Sequence, residues 1–304
     1  MSKSESRPVR HLRGIVLRSL SVLCFAVMIA AMKKASEDHV LAVEMVFYRS
    51  LFGLPVVLLW LLAGPGMKVV RTQRPAAHIF RSAIGITGIL LNFGALIRLP
   101  LADAVTIGFS APIFATIVSA LLLNDKVGPH RWTAVLFGFL GVAMIVRPGG
   151  QSLDDLGVLM AIGGAVGTAS VTITIRKLGG TEHAGAIVFW FFICSAVVSG
   201  AAMLFVGQAH LPRTWSLLVL AGIFGAIAQV LMTMSLQAAP VSVVTPFDYL
   251  QIVWAGIIGW LVWSVWPDIG TVAGATLIIG SGLYTAWREH RLHRNQLPAT
   301  PPLE

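Results

Sequence analysis

Two charged residues lie inside long apolar stretches of this sequence, where an unpaired charge is costly to bury. Asp248 is the only acidic residue between Glu182 and Asp268, and its carboxylate is suited to bind a substrate ammonium group or to carry a coupling proton. The alternative is a structural ion pair with an arginine of another helix. Arg49 is suited to clamp a carboxylate or phosphate, because a guanidinium group donates two parallel hydrogen bonds to such groups. The alternatives for Arg49 are snorkelling and a fixed ion pair.

Uncharged polar residues at similar depth are candidates for lining a cavity. Thr106 and Ser110 share a helix face with Asp103, because they follow it at helical spacing. Hydrogen bonding between helices is the alternative explanation for such residues. Asp103 is a second coupling candidate, although a first-turn acid that complements the helix dipole is the simpler interpretation. The predicted substrate-binding residues are Arg49, Asn92, Thr106, Ser110, Thr245, Asp248, Tyr249 and Trp254, and the predicted coupling residues are Asp248 and Asp103.

The sequence carries no recognisable catalytic or metal-binding constellation. Cys24 and Cys194 both lie in apolar runs and are interpreted as small hydrophobic residues. His290 and His293 belong to a polar C-terminal stretch, and neither a His-Glu-x-x-His motif nor a glycine-rich phosphate loop is present. We therefore predict no catalytic residue, no metal and no cofactor.

The composition places these residues in a membrane protein. Of 304 residues, 56% are hydrophobic and only 12% are charged, about half the charged fraction of a soluble domain. The net charge is +9, but the basic residues gather at helix ends and in short loops. They indicate membrane topology and contact with anionic lipid rather than nucleic-acid binding.

Stretches without charge predict ten transmembrane helices, because a spanning helix needs roughly 20 mostly apolar residues. The break between the eighth and ninth helices falls at Pro240, since proline cannot continue a helix interior. The fold class is an all-α integral membrane protein. The predicted helices cover residues 14–32, 42–63, 77–97, 101–123, 131–147, 156–176, 185–207, 214–236, 241–263 and 268–287.

Loop charge predicts the orientation. With a cytoplasmic N-terminus, the inner segments hold fourteen Lys and Arg residues and the outer loops hold five, which favours cytoplasmic positions for both termini. Residues 1–13 are then a cytoplasmic segment and residues 288–304 a disordered cytoplasmic tail. Arg18 and Arg81 lie near the inner face, where snorkelling is the favoured interpretation.

Two halves of the sequence resemble each other, at residues 14–150 and 151–287. Phe47-Tyr48 corresponds to Trp190-Phe191 at an offset of 143, and Gly141 corresponds to Gly280 at an offset of 139. Five helices per half is an odd number, so the second half enters the membrane from the opposite side. Such inverted repeats suit alternating access around a central site.

Several motifs resemble those of the drug/metabolite transporter superfamily, EamA type. They comprise Phe47-Tyr48-Arg49-Ser50, Leu99-Pro100-Leu101-Ala102-Asp103-Ala104, Ala111-Pro112-Ile113-Phe114 and Val244-Thr245-Pro246-Phe247-Asp248. The resemblance covers residues 14–288 and implies two inverted five-helix repeats that transport metabolites across the bacterial inner membrane. The closest subgroup is said to carry S-adenosylmethionine, riboflavin, amino acids or opine-type metallophores. The sequence departs from the family pattern at Ser264-Val265, where members often carry Gly-Glu.

These observations predict a secondary-active transporter that is not an enzyme. Arg49 and Asp248 on opposing walls of a central cavity would suit a zwitterionic or amphoteric metabolite. The alternatives are a membrane-embedded enzyme, which would need a convergent catalytic set, and a non-transporting membrane interaction protein. The expected partners are a small-molecule substrate and membrane lipids, without nucleic acid, and the oligomeric state stays open.

Overall fold

The computed structural model describes residues 7–111, 113–114, 117, 129–146, 153–179, 181–239 and 241–295. Within these residues the protein is helical and contains no β-strand. An all-helical chain satisfies its backbone hydrogen bonds inside each segment, as a lipid environment requires. The helices are α1 (Arg7–Ser36), α2 (Ala42–Ala63), α3 (Pro75–Arg98), α4 (Leu101–Gly108), α5 (Pro129–Val146), α6 (Asp155–Gly179), α7 (Ala184–Val206), α8 (Pro212–Ala238), α9 (Leu250–Trp263) and α10 (Ile269–Asn295).

Six of the helices are long and apolar enough to cross a membrane, namely α1, α2, α3, α6, α7 and α8. Two shorter apolar segments, Trp132–Val146 and Ile269–Tyr284, belong to α5 and α10. The protein is therefore a multi-pass membrane protein.

The fourth and ninth predicted helices are interrupted. Helix α4 ends at Gly108 and a turn follows, while residues 112, 115–116 and 118–123 of the predicted helix lie outside the described residues. The predicted helix 241–263 consists of a helical turn at Val241–Val244, a 3₁₀ segment at Thr245–Tyr249, and α9. Pro246 lies at the start of the 3₁₀ segment, where its missing N–H interrupts the α-helical hydrogen-bond pattern.

The outermost helices are longer than hydropathy predicted. Helix α1 begins at Arg7 rather than at residue 14, and α10 continues to Asn295 rather than ending at residue 287. Residues 288–295, predicted to be disordered, are therefore helical, and residues 296–304 lie outside the described residues. Arg and Glu are good helix formers, so a helix can continue past the apolar stretch that hydropathy detects.

The helix contacts repeat when each helix is exchanged with the one five places along the chain. Helix α1 packs on α8, and α6 packs correspondingly on α3. The contact between α2 and α8 has its counterpart between α7 and α3, and that between α1 and α9 has its counterpart between α6 and α4. The pairs α2–α7, α4–α9 and α5–α10 map onto themselves. This pattern indicates a twofold relation between the halves.

Glycines allow two of these contacts to be close. A Cβ atom on Gly88 of α3 would lie 3.2 Å from the Cα atom of Gly167 on α6. A Cβ atom on Gly141 of α5 would lie 2.8 Å from the carbonyl oxygen of Gly274 on α10. Because the obstructing atoms belong to the backbone, small residues are needed at both crossings.

Candidate functional site

Arg49 of α2 is buried against apolar groups and faces no carboxylate within ion-pair distance among the described residues. Its side chain is 3% exposed, and its Nε donates to Met28 Sδ on α1 at 3.4 Å. Its Cζ lies 5.3 Å from the centre of the Phe192 ring and 6.0 Å from that of Phe191, both on α7. A guanidinium group in this environment is stabilised by ring faces but keeps an uncompensated charge.

Arg81 of α3 approaches the same ring. Its Cζ lies 4.0 Å from the centre of the Phe191 ring, and the residue is only 4% exposed. Its Nε and Nη1 have no hydrogen-bond partner in the described part of the chain. The sequence favoured snorkelling for Arg81. That interpretation is wrong because Phe191 covers the guanidinium group inside the bundle.

In the described part of the chain the other buried polar groups without hydrogen bonds lie on α3 and α7, apart from Nη1 of Arg18 on α1. They are the hydroxyl of Ser82 on α3, the hydroxyl of Ser195 on α7 and both ring nitrogens of His78 on α3. His78 precedes Arg81 by one turn of α3, Ser82 directly follows Arg81 in the chain, and Ser195 follows Phe191 by one turn of α7. Buried polar groups are paired in the great majority of cases, so their concentration here marks an unusual place in the bundle.

Asp248 already has a cationic partner. Nη2 of Arg18 on α1 donates to Asp248 Oδ2 at 2.6 Å, and Nε of Arg18 donates to Oδ1. The structure thus shows the second of the two interpretations, an ion pair with an arginine of another helix, and Arg18 does not snorkel. The described residues show no contact between Asp248 and Arg49, so the expected pair of opposing charges is replaced by an acid that Arg18 neutralises.

Tyr249 lies where the interrupted fourth and ninth segments meet. Its ring centre is 5.6 Å from that of Phe109, and its hydroxyl packs against Gly282 of α10. Phe109 and Tyr249 are 140 positions apart, close to the offsets that relate the two halves. Thr245 belongs to the 3₁₀ segment, and its side chain is outside the described part. Trp254, on α9, is half-buried.

The remaining predicted residues mainly satisfy local or interhelical contacts. Thr106 Oγ1 donates to the carbonyl of Ala102 at 2.7 Å, and Ser110 Oγ donates to that of Ile107 at 2.6 Å. Both are fully buried, so their hydroxyls do not line an open cavity. Asn92 is half-buried, and its amide packs against Gly164 of α6. Asp103 Oδ1 accepts a 2.5 Å hydrogen bond from Thr271 Oγ1 of α10.

Two buried His–Glu contacts join the halves at opposite ends of α2. At the end that carries the α1–α2 loop, Glu44 accepts from the backbone N–H groups of Leu41 at 2.8 Å and Gln208 at 3.0 Å. His210 Nε2 lies 3.0 Å from the same carboxylate. We call this set the Glu44 tie. Its Glu and His side chains are 0% and 3% exposed.

The Glu182 tie lies at the end that carries the α2–α3 loop. Glu182 accepts from Thr72 Oγ1 at 2.8 Å, and His78 Nε2 lies 3.4 Å from its other oxygen without the alignment of a hydrogen bond. Burial raises the pKa of Glu182, but Thr72 and His78 together outweigh burial and hold that pKa below its usual range.

An aromatic ring accompanies each tie. The ring of Tyr48 is 6.2 Å from that of His210, and the ring of Trp190 is 6.3 Å from that of His78. Sequence reasoning missed both ties. The available signal was that Glu44 and Glu182 each lie beside the start of the second helix of a half, α2 or α7, but the histidine partners are far away in the chain.

Comparison with known proteins gives a consistent result. The family model described as the EamA-like transporter family matches twice, at residues 12–147 and 155–286. The chain is 32% identical to the pseudopaline exporter of Pseudomonas aeruginosa, over 88% of this chain and 93% of that protein. It is 29% identical to a riboflavin transporter of Rhizobium johnstonii, over 80% and 79% of the two chains. It is 27% identical to an S-adenosylmethionine uptake transporter of Rickettsia bellii, over 82% and 84%. A solved crystal structure shares the fold with a TM-score of 0.66 at 20% identity, over 92% of this chain and 98% of that one.

Proposed function

The chain belongs to the EamA-like transporter family, and we propose that it is a secondary-active transporter that moves a small organic metabolite across the membrane by alternating access. The observation that carries the proposal is the exchange of helix contacts between the halves. Two equivalent halves can rock about a central site and expose it to either side in turn. The similar proteins transport chemically different small molecules, which supports metabolite transport without selecting one substrate.

The proposed architecture has ten transmembrane helices in two inverted five-helix repeats. An odd number of helices per half inverts the second half, and the position of the two ties at opposite ends of α2 agrees with this inversion. The predicted excess of Lys and Arg in one set of loops supports cytoplasmic positions for both termini, in a bacterial inner membrane.

In this mechanism the two ties act as alternating closures. Glu44 and His78 belong to the first half, and His210 and Glu182 belong to the second. Rocking of the halves separates the partners of one tie while the partners of the other stay together. Similar interactions at both faces keep the difference in free energy between the two orientations small, as efficient exchange between them requires.

Among the predicted site residues, Arg49 is the best-supported candidate for contact with the substrate. It lies at the centre of the contacts between α1, α2, α7 and α8 and has an uncompensated charge. Tyr249 lies at the junction of the two interrupted segments, where rocking would change its contacts. Asp248 can serve as a coupling acid only in a state that releases it from Arg18.

Crosslinking tests the alternating closures directly. After Cys24 and Cys194 are replaced by serine, cysteine pairs are placed at positions 44 and 210 or at positions 78 and 182. The protein is reconstituted in liposomes, and uptake of S-adenosylmethionine, riboflavin, amino acids and opine metallophores is measured by mass spectrometry. A short reducible crosslinker should stop saturable uptake in either pair, and reduction should restore it.

Single-cysteine variants treated with the same reagent provide the matched control. Uptake that continues with either face crosslinked would contradict alternating access by this route. A protein that transports no solute of the panel above the level of empty liposomes would count against the proposed function itself.

A further inference from the structure

We propose that Arg49 and Arg81, which both approach the Phe191 ring, together bind two acidic groups of the transported metabolite. This inference rests on the proposed transport function and specifies its substrate class: an organic acid with at least two carboxylates. It uses Arg81, which sequence reasoning assigned to the lipid interface, and does not require Asp248.

The two arginines reach one ring from opposite ends of the bundle. Arg49 lies seven residues into α2 and Arg81 six residues into α3, so each is about 10 Å from its own end of the membrane-spanning segment. Because α2 and α3 begin at opposite ends, their side chains converge on the interior. The distances to Phe191 place the two Cζ atoms no more than about 10 Å apart, a separation that a small diacid can span.

The charges at this place do not balance. Both guanidinium groups are at least nine-tenths buried, and no carboxylate of the described residues lies within ion-pair distance of either one. Two like charges in a region of low polarity repel each other and lose the solvation that water provides. Phe191 and Phe192 compensate only a small part of this cost, since a cation–π contact is weak compared with the solvation that a buried charge loses.

Buried hydrogen-bond donors without partners lie on α3 and α7, the helices that carry Arg81 and Phe191. Arg81 Nε and Nη1 and the hydroxyls of Ser82 and Ser195 have no partner in the described part of the chain. Nε–H and the N–H groups of Nη1 lie on different edges of the guanidinium group, so each can donate a separate hydrogen bond to an acidic oxygen. The free donors of Arg81 are therefore available to a bound acid.

The arrangement selects against a cationic substrate. Asp248, the only acid in the long apolar stretches of the second half, is held by Arg18. A substrate with a net positive charge would meet two buried cations, whereas a diacid would neutralise both. The Phe191 ring, which both arginines approach, provides an apolar surface for the carbon chain that joins the acidic groups.

The test measures binding in matched series of ligands. Purified full-length protein in a neutral detergent is titrated at constant ionic strength with succinate, its half-amide and its diamide, and with adipate and its two amides. Unfolding is followed by tryptophan fluorescence, because a ligand that binds only the folded state raises the melting temperature. We expect the diacid of at least one series to stabilise the protein more than its half-amide, and the diamide to have no effect.

Substitutions assign the effect to the two arginines. Arg49→Gln and Arg81→Gln should each weaken diacid binding by about 10- to 100-fold, the effect of losing charge-assisted hydrogen bonds. Arg213→Gln, at an exposed arginine, is the matched control and should bind as the unchanged protein does. If a Gln variant does not fold, the Lys variant keeps the charge but lacks the guanidinium group, and it should show intermediate affinity.

Three outcomes would overturn the inference. They are equal stabilisation by diacid and diamide in both series, diacid binding that survives in both variants, and inorganic phosphate that stabilises as strongly as the best diacid, which would indicate a site for one anion. Because the measurement is of binding, it separates the two proposals. Diacid binding without transport would support the two-arginine binding site but contradict its role in transport, whereas transport of a solute without any diacid response would overturn this inference and leave the proposed function.

Discussion

The bundle contains two buried arginine arrangements that differ in how their charges are balanced. Arg18 forms two hydrogen bonds with Asp248 across α1 and the segment before α9. Arg49 and Arg81 instead both approach the Phe191 ring and lack a carboxylate partner in the described part of the chain. The charges of the first arrangement balance without a ligand, and the pair joins the two halves. The second lacks anionic groups, which is the property expected of a binding site rather than of a structural contact.

Breaking the ion pair between Arg18 and Asp248 should have the largest effect on stability. Asp248→Asn leaves the Arg18 charge buried without a partner, which costs about 3–5 kcal/mol for a buried pair. Side-chain exposures of 13% and 21% place the expected loss at the lower end of this range. Denaturant unfolding in detergent measures it. The double variant Arg18→Met/Asp248→Leu should recover most of the loss, and a double variant as unstable as Asp248→Asn would refute this explanation.

Removing the charge of Arg81 should change the free energy of unfolding in the opposite direction. Arg81→Met replaces an unpaired buried cation with an apolar side chain of similar length, so the unfolding free energy should stay equal or rise by about 1–4 kcal/mol. Uptake into liposomes should fall at the same time. The same unfolding experiment on Arg81→Met and Asp248→Asn gives the comparison directly. A destabilised Arg81→Met protein would show that Arg81 has a structural partner after all.

Substitutions in the Glu44 tie should have a smaller effect on stability. Glu44→Gln removes the charge that three donors share, and hydrogen bonds to charged groups contribute about 1.5–3 kcal/mol each at most. We expect a loss of about 1–2 kcal/mol, because the amide oxygen still accepts some of these bonds. Cysteines at the end of the bundle that carries the α1–α2 loop should become more accessible to the crosslinker. Unchanged accessibility there would exclude a closing role for the Glu44 tie.

The smallest effect on stability is expected for Glu182→Gln, and it should appear only at acidic pH. The pKa of Glu182 is held below its usual range, so its contribution to stability is complete above the ordinary carboxyl pKa of about 4.3. That contribution is lost as the pH falls through the lower pKa of the folded protein. In Glu182→Gln the melting temperature should therefore fall less steeply with decreasing pH in the acidic range. Near neutral pH its curve should run nearly parallel to that of the unchanged protein. A decrease in the acidic range that stays as steep in Glu182→Gln would contradict the assignment.

The regular helices were predictable because hydropathy is a local property. The apolar stretches at 42–63 and 185–207 predict α2 and α7 to within a residue or two. The interruptions at Gly108 and at Thr245–Tyr249 were not predicted. Their sequences are as apolar as an unbroken helix, so hydropathy does not reveal them, although Pro246 is a local cause of the second interruption.

The types of residue in the candidate site were predictable from the sequence, but which of them contact each other was not. The cost of a charge in an apolar stretch drew attention to Arg49 and Asp248 from the sequence alone. Their partners could not be deduced, since Arg18 lies 230 positions from Asp248 and any of several arginines would have been compatible.

The sequence by itself determined that this chain spans a membrane in two similar halves, because composition and charge distribution act residue by residue on the choice between lipid and water. Only the tertiary structure decided that Asp248 is neutralised by Arg18 and that Arg81 faces Phe191 beside Arg49. The physical reason is that the energy of a buried charge depends on which side chains of distant segments come within a few ångströms of it.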